Sequence, residues 1–146
     1  MDDLVRAELL SLFDHAWQRF TTRLDGLTDD ELVWTPTRDA RISLAWRLEH
    51  IGQVLTESRN WTWLGAAPPR AVRRSFGTAS DARAALDAAY AGWRALLSSV
   101  DDLGAAVGPA AGAYAHSTRL SFVLHVADEL VHHCAEAAML RDLYAG

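Results

Sequence analysis

The sequence predicts an all-α protein, an up-down four-helix bundle with long connecting loops. Three observations support this fold class. Four amphipathic segments of roughly 20 to 27 residues repeat apolar side chains at helical spacing, and each would be about 30 to 40 Å long at 1.5 Å per residue. Glycine and proline separate these segments, and no strand pattern of useful length is present. The 146 residues suit one domain, so we assign residues 1–146 to a single bundle.

The first helix is predicted over residues 2–25, with Asp2 and Asp3 at its positive start and Gly26 after its end. A threonine at 28 followed by a glutamate at 31 has the capping-box form, which predicts a short helical turn before the next long helix.

The second helix is predicted over residues 44–64, capped by Ser43 and ended by Gly65. Residues 66–78 are rich in proline, glycine and arginine, which indicates a surface loop. Arg70, Arg73 and Arg74 in this loop are a candidate anion-facing cluster. All 14 cationic residues of the chain are arginine, however, and genomic base composition is the first explanation for this preference.

The third helix is predicted over residues 81–103, opened by Ser80 and closed by Gly104. An irregular loop with Gly108, Pro109 and Gly112 follows. The fourth helix is predicted over residues 118–144.

Composition restricts the class of partner. The net charge is −5 and no strongly basic stretch is present, which argues against nucleic acid. No apolar run approaches the roughly 20 residues of a membrane span, and the acidic amino terminus is unlike a signal peptide. A single cysteine, Cys134, makes no internal disulfide and fits a reducing compartment. We therefore expect a cytoplasmic protein.

The fourth helix carries titratable groups on what should be a packed face. With His125 as zero, His125, Glu129, His133 and Glu136 lie at about 0°, 40°, 80° and 20° around the helix. Apolar residues share that face, so we expect the polar set to point inward. Buried titratable groups are costly unless they are paired or bind a metal.

The second helix has a matching stripe. His50 lies there among Trp46, Glu57 and Trp61, which we expect to line a cofactor or ligand pocket, with simple packing of the tryptophans as the alternative. Bundles place ligands for metals on facing helices, so His50 is expected to meet the residues of the fourth helix across the core.

Histidine and carboxylate one turn apart place their donor atoms on one side of a helix, close enough to share a cation. We therefore predict a metal site at His50, Glu129 and His133 that leaves a coordination position for water or substrate. His125 and Glu136 are the candidate catalytic proton carriers. The alternative is that the histidines are hydrogen-bonded core residues and that Glu129 pairs with Arg47.

Residues 42–51 and 125–144 resemble the two signature helices of the DinB/YfiT-like family of small four-helix proteins, and the resemblance covers nearly the whole chain. The family pattern is a helix-two histidine with a His-x-x-x-His pair on helix four, together binding a divalent cation. His50 and His133 match this pattern, while Glu129 stands where the first histidine of the pair is usual. Such a set suits zinc or nickel, and iron or manganese as alternatives.

The resemblance also implies a function. Better understood relatives are thiol transferases that use a low-molecular-weight thiol, and many are homodimers. The sequence therefore favours a metal-dependent enzyme that transfers such a thiol to or from a small electrophilic substrate. A metal-dependent hydrolase, or a non-catalytic small-molecule-binding or stress protein with a degenerate metal site, are the alternatives.

Overall fold

A computed structural model describes residues 2–71 and 76–146 of the chain. Arg73 and Arg74 of the predicted arginine cluster lie outside these residues. The described helices are α1 (Asp2–Arg23), α2 (Asp29–Val33), α3 (Leu44–Thr56), α4 (Ser58–Trp63), α5 (Ala79–Ser99), a 3-10 helix (Pro109–Tyr114) and α6 (Arg119–Ala145). Over the described ranges the only β-type pairing is an isolated bridge, so the prediction of an all-α bundle is confirmed.

Hydroxyl side chains start several helices. The Thr28 and Ser43 side chains accept hydrogen bonds from the amides of Glu31 and Trp46, as their positions in the sequence predict. For α5 the sequence prediction was wrong, because Thr78 and not Ser80 caps the helix by accepting from the Asp81 amide. Helix α5 therefore begins at Ala79 and ends at Ser99, earlier than expected at both ends.

The predicted second helix is broken at Glu57, whose φ of −54° and ψ of 132° leave the helical region. The break leaves the Val54 carbonyl without a helical N–H partner. This carbonyl accepts a hydrogen bond from the side-chain amide of buried Asn60 at 2.9 Å. Helices α3 and α4 are therefore separate. The regular rotation of 100° per residue does not carry through the break.

The directions of the long helices follow from contacts at their ends. Arg83 of α5 donates to the Leu24 carbonyl just after α1, so these two helices are antiparallel. Arg23 at the end of α1 donates to the Ala138 carbonyl near the end of α6, so these two are parallel.

Helix α3 packs against both α5 and α6. Arg47 near its start pairs with Glu136 late in α6, while Trp63 of α4 packs on Phe122 early in α6, so α3 and α6 are antiparallel. It follows that α3 and α5 run parallel. The strict up-down order that the sequence predicted therefore does not hold for α3 and α5, although the all-α bundle does. Consecutive parallel helices need a long connection, and residues 64–78 are long enough to provide it.

The core is built from aromatic and aliphatic side chains of all four long helices. Trp93 is fully buried and packs on Phe13 at 5.4 Å between ring centroids, while Trp17 stacks on Tyr90. Trp17 and Trp93 are therefore core residues. None of the helices within residues 2–71 and 76–146 is long and apolar enough to cross a membrane.

Candidate metal centre

Three side chains from two antiparallel helices converge on one point. The His50 Nε2 atom of α3 lies 3.0 Å from the His133 Nε2 atom of α6. The Glu129 Oε2 atom, one turn earlier in α6, lies 3.1 Å from the same His133 nitrogen. All three donor atoms lie within 4.8 Å of one another. The helix geometry therefore brings together the three residues that the sequence grouped.

A fourth residue fixes the orientation of His133. Its Nδ1 atom lies 2.6 Å from Glu136 Oε1, and an ionised carboxylate only accepts hydrogen bonds, so Nδ1 carries the hydrogen. In the neutral ring the Nε2 atom then has a free lone pair. That lone pair faces Glu129 Oε2, which is also an acceptor. Two facing acceptors need a cation between them, either a proton or a metal ion.

The distances agree with a metal ligand set. Nitrogen and oxygen ligands at about 2.0 to 2.2 Å from one ion lie roughly 3.0 to 3.5 Å apart for bond angles between 90° and 109°. The separations of His133 Nε2 from His50 Nε2 and from Glu129 Oε2 are 3.0 and 3.1 Å, which lie at the short end of that range. The residues present therefore fit a divalent cation held by two imidazoles and one carboxylate.

A second group, His132, His133 and Glu136, also lies within 4.8 Å. Here the Nδ1 to Oε1 distance of 2.6 Å is too short for two ligands of one ion, and it is typical of a charge-assisted hydrogen bond. The Arg47 guanidinium also contacts Glu136, at 3.2 Å, and disfavours a cation there. We therefore assign Glu136 to orienting His133. His132 is exposed.

Trp46 and Arg47 complete the surroundings of the cluster. The Trp46 ring stacks on His50 with 5.2 Å between centroids and 14° between planes. The Arg47 guanidinium lies over that indole at 5.1 Å and pairs with Glu136. The alternative partner of Glu129, Arg47, thus binds a different carboxylate. Arg47 was expected only as an alternative partner of Glu129, although it lies three residues before His50, on the same side of the helix.

The cluster is partly buried at the contact between α3 and α6. The His133 side chain is 12% exposed and that of Glu129 is 36% exposed. This corrects the expectation of an inward-pointing polar face. The buried side chains of α6, such as Val126 and Leu130, lie roughly a quarter turn away from the centre of the polar set.

The structure does not bring His125 to the cluster. Its side chain is exposed, and within the described ranges it has no hydrogen bond or ion pair. Leu143 shares its angular position on α6 and is 56% exposed, so this edge of the helix faces solvent. His125 differs from Glu136 by only about 20° around the helix, so its position along the axis is what separates it: it lies eight residues, or about 12 Å, before His133.

Glu57 and Trp61 also lie away from the cluster. Glu57 pairs with Arg59 at 2.7 Å. Trp61 lines a separate groove of about 980 Å³ between α3 and α5, beside Phe76 and Gly92. The break at Glu57 is the physical reason, since it turns α4 away from the stripe projected from α3. Trp46, before the break, keeps its predicted position beside His50.

Cys134 is not available for chemistry. It points into the bundle, and burial raises the pKa of its thiol to about 12. The neutral thiol is a weak nucleophile.

Comparison with known proteins supplies the family. The sequence profile of the DinB superfamily matches residues 12–137, a range that contains His50, Glu129, His133 and Glu136. No curated protein and no solved structure matches the chain. Since the profile covers most of the sequence and the fold is an all-helical bundle, the chain belongs to the DinB superfamily.

Proposed function

We propose that this protein is a metal-dependent enzyme in which His50, Glu129 and His133 hold a divalent cation. One observation carries the proposal: three side-chain nitrogen and oxygen atoms from α3 and α6 meet, with separations of 3.0 and 3.1 Å from His133 Nε2, while Glu136 holds the hydrogen of His133 on the far side of the ring. The His133 Nε2 and Glu129 Oε2 acceptors that face each other are unfavourable without a cation.

A cation held by three protein ligands polarises a bound atom and lowers the pKa of a bound thiol or water. The chain's own residues would provide access for a substrate and a proton carrier. The Glu129 side chain is 36% exposed, so a small molecule can reach the ligand set from this side without a change of fold. Of the two candidate proton carriers, Glu136 is better placed, because it contacts His133 whereas His125 lies outside the cluster.

The proposed reaction is transfer of a low-molecular-weight thiol to or from a small electrophilic substrate. Family resemblance and the open ligand set support it. The carboxylate at position 129 gives the set two nitrogens and one oxygen, a combination that zinc, nickel, iron and manganese all accept. Elemental analysis is therefore needed to identify the metal.

The first experiment measures metal binding. Protein purified without chelator is analysed for zinc, nickel, iron and manganese, then titrated with Co²⁺ after metal removal. We expect one equivalent in the wild type and a large loss of affinity in His133→Ala and His50→Ala. His15→Ala, which changes an exposed histidine of α1, is the matched control. Absence of stoichiometric binding by the wild type for every one of these metals would refute the proposal.

A second experiment separates the reaction classes. Metal-loaded protein is incubated with a panel of small electrophiles, with and without a low-molecular-weight thiol, and product is followed by mass spectrometry. Thiol adducts that require both the metal and Glu129 support the transferase. Turnover with water alone identifies a hydrolase instead. Metal binding without turnover in either arm identifies a non-catalytic binding protein.

We also propose that the chain forms a homodimer, as the family resemblance implies. Sedimentation equilibrium measures this directly. A monomer at concentrations well above those used for the activity assays would contradict it.

A further inference from the structure

We infer that Trp46 and Arg47 are positioning residues that hold the two imidazoles of the site in the orientation needed to share a cation. The inference rests on the ligand set proposed above. Neither Trp46 nor Arg47 is a metal ligand in this arrangement. Trp46 orients His50 and does not line a cofactor pocket.

The first half of the arrangement runs from Arg47 to His133. Glu136 uses its two oxygens differently: Oε1 accepts from His133 Nδ1 at 2.6 Å, and Oε2 pairs with Arg47 at 3.2 Å. The contact with Arg47 holds the Glu136 carboxylate in place, so that Oε1 faces His133 Nδ1 and accepts its hydrogen. Arg47 therefore helps to keep the hydrogen of His133 on Nδ1, which leaves the Nε2 lone pair directed at the ligand point.

The second half runs from Trp46 to His50. These residues are one helical turn apart on α3, and their rings are nearly parallel, with 14° between planes. The stack fixes the plane of the His50 ring. The His133 ring then meets His50 at 84°, with 4.2 Å between centroids, so the two Nε2 atoms face each other across the helix interface.

Arg47 joins the two halves. Its guanidinium lies over the face of Trp46 at 5.1 Å while it pairs with Glu136. The contacts therefore form a closed ring, which passes from His50 to Trp46, Arg47, Glu136, His133 and back to His50. With only 19% of the Arg47 side chain exposed, the guanidinium has little freedom to leave this position.

Four variants test the inference: Arg47→Met, Arg47→Lys, Trp46→Leu and Trp46→Phe. Metal affinity is measured by Co²⁺ titration and by zinc competition with a chelator. Loss of an orienting partner typically weakens metal binding about 10- to 100-fold, which is the expectation for Arg47→Met and Trp46→Leu. Arg47→Lys keeps the charge and Trp46→Phe keeps an aromatic face, so both should recover part of the affinity.

Arg59→Met is the matched control. Arg59 pairs with Glu57 at 2.7 Å and lies over the Trp63 ring at 5.3 Å, so it has the same two kinds of contact as Arg47. It lies outside the ring of contacts around His50 and His133. We expect its metal affinity to stay within about twofold of the wild type, a change within the scatter of distant surface substitutions.

A second measurement needs no metal. Nitrogen-15 NMR of the histidine rings is recorded on metal-free protein, well above the pH range in which free imidazole titrates. The wild type should show His133 with its hydrogen on Nδ1. Arg47→Met should show a mixture of the two tautomers, which a purely structural role of Arg47 would not produce.

The outcomes separate this inference from the proposed function. If the wild type binds no metal, the proposed function fails, and the NMR arm alone decides the role of Arg47. If the wild type binds metal but folded Arg47→Met and Trp46→Leu bind equally well, the inference is overturned and the metal site stands. Thermal melts verify folding, and the Arg47→Lys and Trp46→Phe proteins carry the test if the larger changes unfold the chain.

Discussion

Arg141 and Glu31 form a two-pronged ion pair that joins the end of α6 to the short helix α2. Arg141 Nε donates to Glu31 Oε1 at 2.7 Å and Nη2 donates to Oε2 at 2.9 Å. The remaining Nη1 donates to the carbonyls of Arg23 and Asp25. Glu31 is only 3% exposed, so its charge depends on this arginine for compensation.

Replacing Arg141 with methionine should strongly destabilise the fold. The change leaves the Glu31 carboxylate buried without its partner, and such losses cost about 3 to 5 kcal/mol. Urea unfolding measures the difference in free energy. The control is Arg41→Met, because Arg41 and Asp39 form an exposed pair that contributes little to stability.

The double variant Arg141→Met with Glu31→Leu should recover most of the lost stability, since it removes both charges and leaves an apolar contact. Equal stability of the single and double variants would show that the buried charge is not the cause of the loss.

The two hydroxyls near the start of α5 should differ in their effect on stability. Thr78→Ala removes the side chain that accepts from the Asp81 amide and should cost about 1 kcal/mol. Ser80→Ala changes an exposed residue of the first turn and should stay within about 0.5 kcal/mol. Thermal or urea unfolding of both proteins decides which residue is the cap. A larger loss for Ser80→Ala would contradict the structure.

Cys134 should make stability fall at alkaline pH. Burial raises the pKa of the folded thiol from 9.0 to about 12, so between those values the unfolded chain loses a proton that the folded chain retains. Unfolding then becomes more favourable by up to about 1.4 kcal/mol per pH unit, while below about pH 9 the thiol contributes no pH dependence. The measurement is urea unfolding at pH values from neutral to about 11.

The control is Cys134→Ala, which lacks the thiol and its titration. Its stability should decline less steeply above about pH 9 than that of the wild type. Parallel curves for the two proteins would contradict the raised pKa. In the native protein the thiol should also react slowly with alkylating reagents at neutral pH, because the thiolate is the reactive form.

Glu129 should decide both the strength of metal binding and the choice of metal. A metal present at 100 times its Kd stabilises the fold by about 2.7 kcal/mol, and a 100-fold weaker Kd leaves only about 0.4 kcal/mol. We expect Glu129→Ala to show such a reduced effect of added metal in thermal melts. Glu129→His should keep binding and shift preference toward zinc and nickel over manganese, because imidazole replaces a carboxylate oxygen.

Asp128→Ala is the control for this pair, since Asp128 is an exposed neighbour on the same helix. Unchanged stabilisation by metal in Glu129→Ala would remove Glu129 from the ligand set while leaving the two histidines as candidates.

Local sequence signals predicted most of the secondary structure. Ser43 and Thr28 act as caps where the spacing of polar and apolar residues predicted them. The errors arose where a longer-range contact competes with local preference. Asn60 stabilises the break at Glu57 by bonding to Val54, and no periodicity of the sequence signals that bond.

The candidate site was predictable in part. The i to i+4 spacing of Glu129 and His133 is local, and the helix alone places both on one side. Arg47 was missed as an orienting residue because its partner Glu136 lies on another helix. His125 was included because angles around one helix do not tell where the neighbouring helices cover it.

The sequence by itself determined the helical class, the positions of most helices and the residue types that could hold a cation, since these depend on short-range periodicity and side-chain chemistry. Tertiary structure alone decided that α3 runs antiparallel to α6 and parallel to α5. That arrangement sets His50 against His133 at a partly exposed contact between the two helices. The reason is that helix direction and rotation are fixed by packing between distant segments, which no local pattern encodes.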